Sequence, residues 1–285
     1  MIRKILLPVR GDGKSEAVFS HAAKLARRYE AHLAVSYCRA RPEDMLPFGV
    51  PLPGYMRDAL KTQAEQLADA EEEKLKSEFL ALAAHYDLAV TGKPDIGKAC
   101  ASWTALSGKQ VDVIKQFGRL ADLICVAKPD RDRNLGANTL KSALFHTGRP
   151  VLMCPSATNP PATLGENITI AWNGSTEAAR AVALCDNIIA SAGTITVLSA
   201  GADEIHGSTA ADLLDYLAFR GKKASLHRFE IGSKVGFDLL AESAKLGADL
   251  MIMGAYGDSH ERETLFGGNT QAVVDSAEMP VVLVH

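Results

Sequence analysis

Two stretches of this chain, about 150 and about 125 residues long, carry the same short motifs in the same order. Arg10-Gly11 corresponds to Asn173-Gly174, and Ala121-Asp122-Leu123 to Ala248-Asp249-Leu250. Leu135-Gly136-Ala137-Asn138-Thr139 corresponds to Phe266-Gly267-Gly268-Asn269-Thr270, and Pro150-Val151 to Pro280-Val281. A chain built this way makes one supersecondary arrangement twice.

Within each copy, short apolar runs alternate with amphipathic stretches. In the first, the runs are Ile5–Val9, His32–Cys38, Ser102–Leu106, Asp122–Ala127 and Val151–Cys154. Helical spacing covers about 14–29, 55–86, 109–119 and 138–147, and four prolines mark 39–53 as a loop. In the second, the runs are Ile168–Gly174, Thr194–Leu198, Ser225–Phe229, Asp249–Met253 and Pro280–Val284. Helices are expected at about 176–190, 210–220, 235–245 and 271–277. Alternation of this kind predicts mainly parallel sheets covered on both faces. The small, polar, proline-rich segment from Pro155 to Thr163 reads as a linker. The expected division is residues 1–155, a linker over 156–166, and residues 167–285.

Composition narrows the function. No apolar run approaches the roughly 20 residues that cross a bilayer, and the short N-terminal apolar stretch is followed at once by Arg10. The expected setting is the cytoplasm, with no membrane partner. The five cysteines, at 38, 100, 125, 154 and 185, form no Cys-x-x-Cys pair and read as reduced thiols. The eight histidines show no metal-ligand spacing, so no metal site is expected. Up to residue 155 there are 23 Lys and Arg against 18 Asp and Glu, and after it 8 against 16. Neither half is basic enough for nucleic acid. His146 and His260 lack a nucleophile or orienting carboxylate at a diagnostic spacing, Ser175 reads as a helix cap, and no catalytic residue is assigned.

The informative loop runs from Gly254 to Thr270, between an apolar run and a short helix. Glycines at a strand end and a helix start let backbone N–H groups approach an anion. In doubly wound sheets, ligands sit at the carboxyl ends of strands where the strand order reverses. Here that directs attention to the loops after Ile168–Gly174 and after Asp249–Met253.

Gly254, Gly257 and Gly267 fit Gly-x2-Gly-x9-Gly, and with the duplication and element order the chain resembles the universal stress protein (UspA) family in its tandem form. The resemblance implies two tandem, doubly wound, parallel five-stranded sheets of the adenine nucleotide alpha hydrolase-like type, in three α/β/α layers. It implies a pseudo-dimer within the chain, its final strands meeting about a pseudo-two-fold axis, with a homodimer as a further option. It also implies a non-enzymatic stress-response protein that takes ATP or AMP, with Mg²⁺ if ATP. The cofactor-binding positions carried over are Ala171, Trp172, Asn173, Leu198, Met253, Gly254, Tyr256, Gly257, Gly267, Gly268, Asn269 and Thr270. Asn173 stands where nucleotide-binding members have Asp, and Gly268 where they have Ser or Thr. Asp258, Glu261 and Glu263 oppose an anion unless Mg²⁺ intervenes. In the first copy only eight residues separate Ala127 from Gly136, against twelve between Gly254 and Gly267, and the first two glycines are missing. That half is expected to be degenerate, with Lys128, Arg131 and Arg133 on a solvated loop and attraction of an anion by them as the alternative. A ligand-free scaffold and a hydrolase or adenylating enzyme are the alternatives.

Overall fold

The structure is a computed structural model and describes residues 1–39, 41, 53–157, 159–201, 207–232, 234–257 and 268–285. In chain order the elements are β1 (Lys4–Val9), α1 (Ser15–Tyr29), β2 (His32–Arg39), α2 (Gly54–His85), β3 (Ala89–Val90), β4 (Cys100–Ser107), α3 (Gln110–Gly118), β5 (Leu123–Ala127), α4 (Ala137–Thr147) and β6 (Val151–Cys154). The second half adds β7 (Asn167–Ala171), α5 (Thr176–Leu184), α6 (Asp186–Ser191), β8 (Thr194–Ala200), α7 (Ala210–Phe219), β9 (Ser225–Phe229), α8 (Val235–Lys245), β10 (Leu250–Gly254), α9 (Gly268–Ser276) and β11 (Val281–Val284). The loop expected over 39–53 lies largely outside the described residues.

The strands form one sheet in the order β3-β4-β2-β1-β5-β6-β11-β10-β7-β8-β9. Every pairing is parallel except β6 with β11, which are antiparallel with Val281 opposite Met153 and Leu283 opposite Val151. The final strands of the two copies thus meet as the family resemblance implies. Their pairing fuses the two expected sheets into one of eleven strands, so hydrogen bonding does not break between the halves. The first half also has a sixth strand, the two-residue β3, on its outer edge. The helix expected over 176–190 is two helices, α5 and α6, divided at Cys185.

Alternation along each strand sorts the core onto two faces. Ile5, Leu7, Leu33, Val35, Ile168, Ile170, Ile252 and Val282 face one way, against α1, α2, α5, α6 and α7. Leu6, Ile124, Val151, Met153, Met251, Met253, Val281 and Leu283 face the other, against α3, α4, α8 and α9. The result is three layers, helices on both faces of a mostly parallel sheet.

The motif shared as Ala-Asp-Leu does the same work in both copies. The Asp122 carboxylate accepts from the backbone N–H groups of Arg3 and Lys4, at 2.8 and 2.9 Å. The Asp249 carboxylate accepts from those of Gly165, Glu166 and Asn167, at 2.8, 3.1 and 3.1 Å. Each aspartate ties the start of the first strand of its half to the strand beside it. Strand order in each half reverses there, between β1 and β5 and between β7 and β10. The loops at the carboxyl ends of those four strands are therefore the places where a ligand can enter.

Candidate functional site

In the second half, Ala171 ends β7 and the Trp172 N–H donates to the Leu198 carbonyl at 2.9 Å, which prolongs the ladder by one residue. The Trp172 indole Nε1 donates to the carbonyls of Ser208 and Thr209, at 3.0 and 3.2 Å. The ring is therefore clamped over the start of α7, half-buried against the core. Asn173 Oδ1 accepts from the Ser175 N–H at 3.1 Å, and Ser175 Oγ from the Ala178 N–H at 3.2 Å. This is an Asx turn followed by a helix cap. Gly174 sits at φ 73°, where a Cβ would lie 2.8 Å from the Ser208 carbonyl oxygen. Leu198 and Met253 are buried beneath the strand ends, part of the site's floor.

Gly254 closes β10 against the first turn of α5. A Cβ there would fall 2.5 Å from the Ala178 amide nitrogen and 2.5 Å from the Glu177 carbonyl carbon. This glycine is required by helix–strand contact. Tyr256 has φ 59°, unusual for a residue with a side chain. Its N–H donates to Thr270 Oγ1 at 3.3 Å, so the buried Thr270 hydroxyl holds the loop to α9. Burial raises the Tyr256 phenol above its ordinary pKa, and the nearby Asp275 adds to the rise. A Cβ on Gly257 would meet Glu177 Oε2 at 2.9 Å. By contrast Gly268, the first residue of α9, has open space where a Cβ would project, and Asn269 beside it is exposed.

Among the carried-over positions, Trp172, Asn173, Gly254, Tyr256, Gly257, Gly268, Asn269 and Thr270 thus gather at the carboxyl ends of β7 and β10. Gly267 lies outside the described residues, as do Asp258, His260, Glu261 and Glu263. Glu177 is the site residue that sequence reasoning missed. Its side chain is 13% exposed, with Arg180 at 3.9 Å. An acid in the first turn of a helix is ordinary, so its position carried no signal.

The first half departs from this plan. Its loop after β5 closes on itself: the Asp130 N–H donates to the Leu135 carbonyl at 2.8 Å, and the Leu135 N–H to the Asp130 carbonyl at 2.9 Å. The three cations expected on a solvated loop have separate fates. Lys128 Nζ donates to the Ala277 carbonyl across the junction at 3.0 Å, and burial lowers its pKa. Arg131 pairs with Asp275 of α9 at 2.7 Å. Arg133 turns toward a cavity of about 360 Å³ at the carboxyl ends of β1 and β2. Among the described residues no three His, Cys, Asp or Glu side chains are placed to hold a metal ion, and all five cysteines are free thiols. No helix is long and apolar enough to cross a membrane among the described residues.

Comparison with known proteins agrees with the fold. The sequence profile of the universal stress protein family matches residues 166–285. A universal stress protein from Archaeoglobus fulgidus DSM 4304 superposes with a TM-score of 0.68 at 15% identity, over 99% of this chain and 97% of that one. A protein of unknown function from Pseudomonas aeruginosa PAO1 gives 0.54 at 17% identity, over 99% and 92%. The cytoplasmic domain of a prokaryotic cation chloride cotransporter gives 0.51 at 13% identity, over 99% and 95%. At these identities the superpositions establish the shared fold. No curated protein matches the chain in sequence. Residues 166–285 thus match the universal stress protein family in sequence, and the chain as a whole shares the fold of a universal stress protein.

Proposed function

We propose that this chain is a non-enzymatic stress-response protein that binds an adenine nucleotide, ATP or AMP, in its C-terminal half. The observation that carries the reading is the first turn of α9. It opens at Gly268, where a Cβ would meet nothing within 4 Å among the described residues, and is held beside Gly257 by the Tyr256–Thr270 hydrogen bond. Free N–H groups at a helix start, with no side chain in the way, suit a phosphate. The residues present fit a nucleotide on that side, where Gly268, Asn269 and Thr270 would hold phosphate oxygens. Glu177 beside Gly257 suits hydroxyl donors of a ribose, or Mg²⁺ if ATP is the ligand, better than a second phosphate. The division into a degenerate repeat over 1–155, a linker over 156–166 and a nucleotide-binding repeat over 167–285 belongs to the same proposal, as does a cytoplasmic location. No catalytic residue is part of it.

The test is Gly257→Val in the full chain. A β-branched side chain beside the Glu177 carboxylate narrows the approach to α9. The neighbour is the flexible end of a glutamate, so the fold should survive. Calorimetric titration should lose ATP and AMP binding while the melting temperature stays within a few degrees of wild type. Unchanged affinity in the folded variant would favour the second reading, a scaffold that acts by association. That reading has support of its own: Gly254 is required by packing and Asn173 by a turn.

A further inference from the structure

The cavity in the first half, of about 360 Å³, is lined by Arg10, Arg133, Gln110, Tyr37, Glu71 and Asp12, among others. Its floor is a hydrogen-bonded chain. Arg10 Nη1 donates to Thr139 Oγ1 at 3.0 Å, and the Thr139 hydroxyl donates to Gln110 Oε1 at 3.3 Å. Thr139 is in the first turn of α4, so the Arg10 guanidinium lies at the positive end of that helix. A cation there opposes the helix dipole. Arg10 is half-buried and has no carboxylate within 4.0 Å among the described residues. Arg133 also lacks one, and its Nη1 donates to the Asp12 backbone carbonyl at 3.3 Å. At the far end of the chain, Gln110 Nε2 is shielded from solvent and has no hydrogen-bond partner. Two guanidinium groups, the half-buried Arg10 and the exposed Arg133 near Asp130, therefore share one cavity, with the buried Gln110 amide donor beside it. Buried donors left without acceptors are costly, and a guanidinium fork matches an oxyanion.

The acceptors in the cavity are placed differently. Glu71 takes the Tyr37 hydroxyl proton on Oε2 at 2.8 Å and presses its other oxygen against Gly11. The Asp12 carboxylate accepts from the Lys14 N–H at 3.1 Å. Both carboxylates retain lone pairs for donors on a ligand. The Asp130–Leu135 bridge closes the loop that would otherwise cradle a phosphate chain, and Gly136 at the start of α4 is buried with Pro129 over it. The donor set is side chains, not a helix start.

We propose that this cavity binds a small oxyanion on a hydroxylated carbon skeleton, of the hydroxy-acid or sugar-phosphate kind. Arg10, Arg133 and Gln110 would take the oxyanion, and Glu71 and Asp12 the hydroxyl groups. The site is separate from the nucleotide site proposed above and does not depend on it.

The experiment is calorimetric titration of the full chain with gluconate, glycerol 3-phosphate, inorganic phosphate, glycerol and AMP. Gluconate separates the carboxylate from the phosphate source, and glycerol removes the charge. Gluconate or glycerol 3-phosphate should bind at one site, at least about tenfold tighter than phosphate alone and far tighter than glycerol. Arg10→Gln and Arg133→Gln should each weaken it by about tenfold or more, the loss of one charge-assisted contact. Lys98→Gln, on an exposed pair with Asp95, should leave it unchanged. Amide chemical shifts of Gly11 and Gly108 report the site even where a variant shifts the melting temperature. Absence of saturable binding by both hydroxylated anions would overturn the proposal, and so would affinity that survives the Arg10→Gln, Arg133→Gln double variant. AMP binding that the double variant abolishes would overturn the assignment to a non-nucleotide ligand.

Discussion

A single aspartate can organise more backbone than its sequence position suggests. Asp249 is buried and accepts three backbone N–H groups from the segment entering β7. Replacing it with Ala leaves those donors facing a void, because none of them has moved to water. Asp249→Ala should therefore destabilise the protein by about 2–4 kcal/mol, within the range of losing several charge-assisted bonds to a buried group. Urea denaturation measures it, and a loss under about 1 kcal/mol would mean that water replaces the carboxylate. The repeated Ala-Asp-Leu motif made this residue visible in the sequence. Glu71 and Arg10 were not visible in the same way. Glu71 sits in a run of three glutamates with nothing to single it out, yet its carboxylate reaches Gly11 and Tyr37 across the cavity. Arg10 could be aligned with Asn173, but its bond to Thr139 links positions 129 residues apart, which no local spacing records. Gly254 reads in the sequence as a strand-end glycine that lets backbone approach an anion, and in the structure a Cβ there would also meet the backbone of α5.

At the scale of elements, the apolar runs marked ten of the eleven strands. The exception, β3, is two exposed residues paired only to β4, held by an edge and not by burial. The junction of β6 and β11 is what the family resemblance implies, and the same runs are compatible with it. Val151–Cys154 and Val281–Val284 are apolar at every position, which suits strands covered on both faces and paired on both edges. Helix α2 is the element whose pattern overstated its packing. It has 32 residues, but Leu75, Phe79 and Ala83 are its main buried stripe, while Tyr55, Met56, Leu60 and Leu67 of the same helix are exposed. Phe79 anchors it, with ring centroids 6.1 Å from Phe19 and 5.6 Å from Trp103. Phe79→Ala should cost about 3–5 kcal/mol, as a large buried ring does. Leu67→Ala should stay within about 0.5 kcal/mol, as a surface change does. Equal losses in urea denaturation would mean that the amino-terminal part of α2 is packed as tightly as the rest.

The whole molecule is tied across its middle by more than one ladder. Beside the β6–β11 pairing, Arg131 reaches Asp275, Lys128 reaches the Ala277 carbonyl, and Arg28 reaches Glu166 and the Ser191 carbonyl. Phe145 of α4 packs on Tyr256 and His285, with centroids 5.1 and 4.8 Å away. Separating the halves would expose the edges of two fully buried strands and leave Lys128, itself partly buried, without its acceptor. Such an interface should make unfolding cooperative over the full chain, because neither half keeps its final strand covered alone. The chain provides its own reporters. Its two tryptophans are Trp103, stacked on Tyr37 in the first half, and Trp172, clamped to the start of α7 in the second. Trp103→Phe and Trp172→Phe each leave one reporter. In urea, the fluorescence transition of each variant should coincide with its own far-ultraviolet circular dichroism transition in both midpoint and slope, whichever half carries the remaining ring. Comparing two probes within one variant removes any shift in stability that the substitution itself causes, including loss of the Trp172 Nε1 bonds to Ser208 and Thr209. A fluorescence change that is complete while part of the circular dichroism signal remains would mean that one half unfolds first, and that the β6–β11 junction joins two independently stable units.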